Sequence, residues 1–192
     1  MSAPTTLRLP KRRNGHTAGR QLPAVFSPRC GVIICDYENI SSAVTKDARY
    51  IEWAKIKEFC QIEREIRVIQ GAYVFLPAYG HSMIEIAREC YNFGYLPLVC
   101  PKLPGDIGTK DKDTVDSIMI SLAKDQVVDD ERVTDLVIIS NDGDFSRLVT
   151  SFQDRAKRVT LLGYGKISLA LRQAAGPDNV FTVPTSEMKT KI

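Results

Sequence analysis

Residues 136–145 read Leu-Val-Ile-Ile-Ser-Asn-Asp-Gly-Asp-Phe, and residues 31–39 read Gly-Val-Ile-Ile-Cys-Asp-Tyr-Glu-Asn. Each stretch is a short, unbroken apolar run that stops at an acidic turn. Consecutive rather than alternate apolar positions mark a strand buried on both faces, as in a parallel sheet covered by helices. Asp36 follows the first run, and Asp142 and Asp144 follow the second.

Outward from these two runs, strands and helices alternate. Apolar spacing predicts helices over 51–61, 82–93, 114–126, 145–154 and 167–173, and further strands over 66–76, 95–100, 158–162 and 179–183. Met83, Ile86, Ala87 and Cys90 recur at helical spacing, and Gly94 supplies a terminator. Pro77 and Pro101 close two of the strands. The pattern predicts an α/β fold, a three-layer α/β/α sandwich with a mainly parallel, Rossmann-like sheet. Ligands of such sheets bind beyond the C-terminal strand ends, at the switch in strand order.

Composition narrows the class. A chain of 192 residues suits one domain. No stretch approaches the roughly 20 apolar residues that span a bilayer, so no membrane partner is expected. The five cysteines include no CxxC pair and are odd in number, which fits reduced, buried thiols of a cytoplasmic protein. Two histidines, His16 and His81, argue against a His-rich zinc site. Residues 1–30 hold six of the 26 basic residues and none of the 23 acids, which leaves 20 against 23 on the remainder. Residues 1–28, with Pro4, Pro10, Pro23 and Pro28, read as a basic disordered arm, 29–185 as the folded domain, and 186–192 as a tail. The arm's lack of acids also admits an organelle-targeting segment, although those prolines spoil the amphipathic helix such a segment forms. The arm suits either a phosphate-binding or a merely solvated role.

The acids fall where the fold class puts a ligand. If the first and fourth strands are neighbours, Asp36, Asp142, Asp144 and Asp116 converge on one crevice, the last from the start of the helix feeding the fourth strand. Carboxylates packed together resist joint ionisation, and a hard divalent cation relieves that conflict. Such an ion can orient water and stabilise charge on a phosphodiester. Each residue also has a plainer reading. Asp36 could start a turn, Asp113 could cap the helix with Asp116 near its third position, and Asp142-Gly143-Asp144 could be a turn capping the next helix.

At these residues the sequence resembles the NYN family of PIN-like nucleases. Asp36 and Asn39 match its Asp-x-x-Asn, Lys112 with Val115-Asp116 resembles its Lys and Val-Asp pair, and Ser140, Asp142, Gly143, Asp144 and Phe145 match its Ser-x-Asp-Gly-Asp-Phe. The resemblance spans about residues 31–183. It implies a PIN-like sheet and a metal-dependent ribonuclease, most simply an endoribonuclease, using Mg²⁺ or Mn²⁺ with RNA as partner. Asp36, Asp116, Asp142 and Asp144 would be both the catalytic and the metal-site carboxylates. Asn39 would hydrogen-bond substrate or a metal-bound water, and Ser140 would support them. Two positions depart from the pattern. Many members carry another acid where this chain has Leu122, with Asp125 the nearest substitute, and the Lys112-to-Val115 spacing is one residue longer.

Substrate contacts are expected from Lys110 and Lys112 (with Lys102 in the same loop) and from Arg147, one turn beyond Asp144. Tyr37 and Tyr79 suit either base stacking or packing. Arg155, Lys157 and Arg158 fall at the other end of the sheet and read as surface charge. A homodimer is admitted as an arrangement. The competing function is a non-catalytic RNA-binding or regulatory module on the same fold. A haloacid-dehalogenase-like phosphatase would want Asp-x-Asp where this chain has Asp36-Tyr37-Glu38, and the chain lacks both the paired acids of a receiver and the Gly-rich turn of a dinucleotide-binding domain.

Overall fold

The computed structural model describes residues 28–78, 83–104 and 114–188. Residues 1–27 of the expected arm, Tyr79, His81, Lys110, Lys112 and Asp113 lie outside the described residues.

Six strands build one sheet: β1 (Cys30–Asp36), β3 (Val68–Pro77), β4 (Leu96–Cys100), β5 (Asp135–Ile139), β6 (Arg158–Gly163) and β7 (Val180–Thr182), ordered β4-β3-β1-β5-β6-β7. Every ladder between them is parallel. The unbroken apolar runs explain the two-sided burial. Val32 and Ile34 of β1, with Leu136 and Ile138 of β5, face one core; Ile33 and Cys35, with Val137 and Ile139, face the other. Helices α4 (Val115–Ala123), α5 (Ser146–Gln153) and α6 (Leu169–Ala175) cover the first face. Helices α1 (Tyr37–Lys46), α2 (Trp53–Ile62) and α3 (Met83–Asn92) cover the second. The expected three-layer α/β/α fold is what the chain adopts.

Gly94 terminates α3 as expected. At φ 73° its N–H reaches the Tyr91 carbonyl, while the Tyr95 N–H reaches that of Cys90. This pair of hydrogen bonds is the glycine-dependent helix stop.

Several boundaries differ from expectation. Helix α1 was not anticipated, because Tyr37–Lys46 buries only Ile40 and Val44 and shows little apolar signal. It lies near the C-terminal edge of the sheet, its end held by a hydrogen bond from Tyr164 to Asp47. Residues 49–51 form β2 (Arg49–Ile51), antiparallel to β8 (Thr185–Glu187), so α2 starts at Trp53 and strand pairing continues past residue 185. Helix α4 ends at Ala123 and passes into a π-turn over Lys124–Val128. Gly143–Phe145 is a tight 3₁₀ turn ahead of α5, with Phe145 fully buried.

The opposite edge is tied down by charge. Asp135, 1% exposed, accepts from Arg29 and lies 3.6 Å from Arg158. Arg29, counted with the basic tail by sequence, is therefore a fixed partner of the domain. Lys157 donates to the carbonyls of Val127 and Asp130, and Arg155 pairs with Asp129, which keeps this basic group away from the acidic crevice. All five cysteines are free, four of them buried. Among the described residues, no helix is long and apolar enough to cross a membrane.

Candidate active site

Asp36 is at once the last residue of β1 and the N-cap of α1. Its Oδ1 accepts the Asn39 N–H at 3.3 Å, satisfying a donor that the first helical turn leaves open. Its Oδ2 accepts from the hydroxyl of Ser140, 3.3 Å away and fully buried just past β5. The parallel pairing of Cys35 with Ile139 brings these two strand ends side by side.

Ser140 also accepts the Asp142 N–H at 3.1 Å. Asp142 in turn accepts the Asp144 N–H through Oδ1 at 3.0 Å, closing a tight turn. Asp116 sits in the first turn of α4, half-buried at the second helical position. The cap there is Thr114, and its hydroxyl donates to the Pro101 carbonyl, fastening the helix start beside β4. One carboxylate oxygen each from Asp116, Asp142 and Asp144 lies within 4.8 Å of the others. Three acids from two turns thus converge, Asp116 from the start of α4 and Asp142 with Asp144 from the turn after β5, with Asp36 behind them.

Burial dominates the electrostatics of Asp36. Only 4% exposed, its carboxyl is pushed from 3.8 up to about 7, chiefly by burial, with Asp116 and Asp142 adding repulsion and the Asn39 N–H and Ser140 hydroxyl opposing it. An all-oxygen donor set next to a carboxyl that resists ionising alone fits a hard divalent cation.

A second network fixes the crevice. Asn39 Oδ1 accepts the Asn141 N–H at 3.0 Å. Asn141 then grips the chain after β6 with both ends of its amide, donating to the Tyr164 carbonyl and accepting its N–H, each at 2.9 Å. The Asn141 carbonyl accepts the Ser168 N–H ahead of α6. Gly143 passes so close to α6 that a Cβ there would stand 2.6 Å from the Ser168 hydroxyl oxygen. Neither Asn141 nor Tyr164 is marked by the sequence as a site residue. The former occupies a variable position of its motif, and only an asparagine directly after a strand hints at such a clamp.

The remaining expected residues scatter. Arg147 is exposed on the first turn of α5 and, among the described residues, forms no ion pair with Asp144. Lys110 and Lys112 lie outside the described residues. Tyr37 stacks on Trp53 with centroids 6.3 Å apart, so its ring is engaged in packing. Leu122 packs against the first core, and Asp125 accepts from Ser121 further along the helix.

The NYN domain family matches residues 32–180, from the third residue of β1 to the first of β7. The chain belongs to the NYN family of PIN-like nucleases. The matched span takes in Asp36, Asp116, Asp142 and Asp144. The NYN domain is also similar in fold to a solved protein of unknown function from Vibrio parahaemolyticus RIMD 2210633, with a TM-score of 0.68 and 20% identity over 83% of this chain and 95% of that one. None of the curated proteins matches the chain.

Proposed function

We propose that this NYN domain is a divalent-metal-dependent ribonuclease that hydrolyses RNA phosphodiester bonds within the strand. The observation that carries this reading is the meeting of Asp116, Asp142 and Asp144 oxygens within 4.8 Å at the C-terminal edge of a parallel sheet. Asp116, Asp142 and Asp144 would hold Mg²⁺ or Mn²⁺, with Asp36 completing the charge of the site. Such an ion supplies a polarised water and neutralises charge that builds on the phosphate.

The protein's own part is positioning. Ser140 binds Asp36 and the Asp142 peptide together, so the site's two halves move as one. Asn39 keeps its amide Nδ2 available, since its Oδ1 is taken by Asn141 and Nδ2 donates to none of the described residues. That N–H is the donor for substrate or for ordered water. Arg147, Lys110 and Lys112 would hold flanking phosphates by charge.

Leu122 supports one second reading, an RNA-binding module without turnover, because its packed side chain puts no further acid on α4. One experiment separates the two. End-labelled single-stranded and structured RNAs are incubated with Mg²⁺, Mn²⁺ or EDTA, using wild type beside Asp142→Asn. Cleavage lost both in EDTA and in the variant supports the nuclease; RNA retention without cleavage under either metal supports the module.

A further inference from the structure

Beside the carboxylates, a cleft of about 780 Å³ runs away from Asp142 between α1 and the loop joining β6 to α6. Asn39, Ser42 and Lys46 line one wall, and Tyr164, Lys166 and Ser168 the other. The walls are braced against each other. Asn39 holds Asn141, Asn141 holds Tyr164 by two bonds, and the Tyr164 hydroxyl donates to Asp47 Oδ2 at 2.9 Å. The cleft is therefore braced by the half-buried Asn39, Asn141 and Tyr164 and by the exposed Asp47, rather than left between unlinked segments.

Its charge suits a polyanion. Lys46 and Lys166 are exposed and, among the described residues, neither forms an ion pair. The lining has two acids. Asp142 stands at the catalytic end, and Asp47 is engaged by Tyr164. Gly165, at φ 68°, has nothing within 4 Å of where a Cβ would stand, so a strand can approach its backbone closely. From Asn39 to Lys46 the helix rises about 10 Å, the length of roughly three stacked nucleotides.

We propose that this cleft carries the single-stranded RNA backbone leading to the cleaved phosphate, with Lys46 and Lys166 neutralising phosphates from facing walls and the Asn39 amide as the last donor before the carboxylates. The proposal rests on the ribonuclease reading for its direction but has its own test. A single strand can lay its backbone between the helix and the braced loop, and a duplex is expected to engage fewer of these groups. Neither lysine stands out in the sequence; their pairing arises only because α1 lies along the sheet edge.

The test is fluorescence anisotropy of a labelled single-stranded RNA and of its duplex in Ca²⁺, over a range of salt. Wild type is compared with Lys46→Ala/Lys166→Ala, with Lys46→Arg/Lys166→Arg, and with a Lys124→Ala/Arg155→Ala control at the far end. The alanine pair is expected to weaken single-strand binding about tenfold or more and to flatten the salt slope by roughly 1.4, two phosphate contacts. The arginine pair and the control are expected to bind like wild type. Unchanged affinity and slope in the alanine pair, absence of RNA binding by wild type, or equal binding of duplex with equal loss in the variant would each overturn the cleft. Cleavage assays run alongside separate the two readings. Wild type that binds through the lysines yet never cuts sinks the nuclease alone, and wild type that cuts with a KM indifferent to both lysines sinks the cleft alone.

Discussion

The side chain of Asn39 accepts the backbone N–H of Asn141 at 3.0 Å, joining two motifs that lie 102 residues apart in the chain. That bond sets the first turn of α1 against the end of β5 and fixes where Asp36 and Asp142 stand relative to each other. Asn39→Ala is expected to cost about 1–2 kcal/mol of stability, since the Asn141 N–H loses its partner. Cleavage should fall further, by about 100-fold, because misplacement by an ångström is enough for such a loss. Urea titration and initial rates on one RNA measure the two effects, and full activity in this variant would remove Asn39 from the site.

Asp36 makes the metal-free protein sensitive to pH. Its carboxyl is raised from 3.8 to about 7 in the fold. Below the lower value the folded and unfolded chains both hold the proton. Between the two, the folded chain keeps it and the unfolded chain releases it, so stability falls as pH rises and levels off above about 7. Asp36→Asn removes that slope and is expected to be the more stable protein at about pH 8 in EDTA, by on the order of a few kcal/mol. Chemical denaturation across this range checks it; parallel curves for the two proteins would contradict the burial argument.

Cation binding should be visible without substrate. Mn²⁺ at about 100 times its dissociation constant adds about 2.7 kcal/mol to the folded state, a rise in Tm of roughly 5–10 °C for a domain of this size. Asp142→Asn and Asp116→Asn should each abolish most of the rise. Equal rises in wild type and both variants would place the ion elsewhere.

At the other edge, Arg29 partners a buried carboxylate. Arg29→Ala leaves Asp135 with Arg158 at 3.6 Å and the Thr134 hydroxyl at 2.7 Å. A loss of about 2–3 kcal/mol is expected, short of the ~3–5 kcal/mol seen when a buried charge is stripped of every partner. Exposed Arg67 is the control, and a cost no larger at Arg29 than at Arg67 would show that the domain does not need this residue.

Much of this was legible in the sequence. Runs such as residues 32–35 and 136–139 announce two-sided burial because a central parallel strand leaves no face for polar side chains, and α3 announced its end through Gly94. Helix α1 was not legible. It rests on an edge and buries only Ile40 and Val44, too few positions to show a period, and β2 and β8 are three residues each. Asp36, Asp142 and Asp144 could be named because turn acids stand out after apolar strands, and Asp116 joined them through its place at a helix start and the family resemblance.

By itself the sequence determined the succession of the six sheet strands and of the helices α2 to α6, and which acids fall at their ends, since both follow from local periodicity and turn chemistry. Only the tertiary structure decided that β1 lies beside β5, that Ser140 and Asn39 couple their ends, and that Asp36 is buried deeply enough to resist ionisation. It also decided that Lys46 faces Lys166 across a cleft. Those outcomes depend on strand order and helix placement, which are settled by packing among segments far apart in the chain and leave no trace in the local pattern of any one of them.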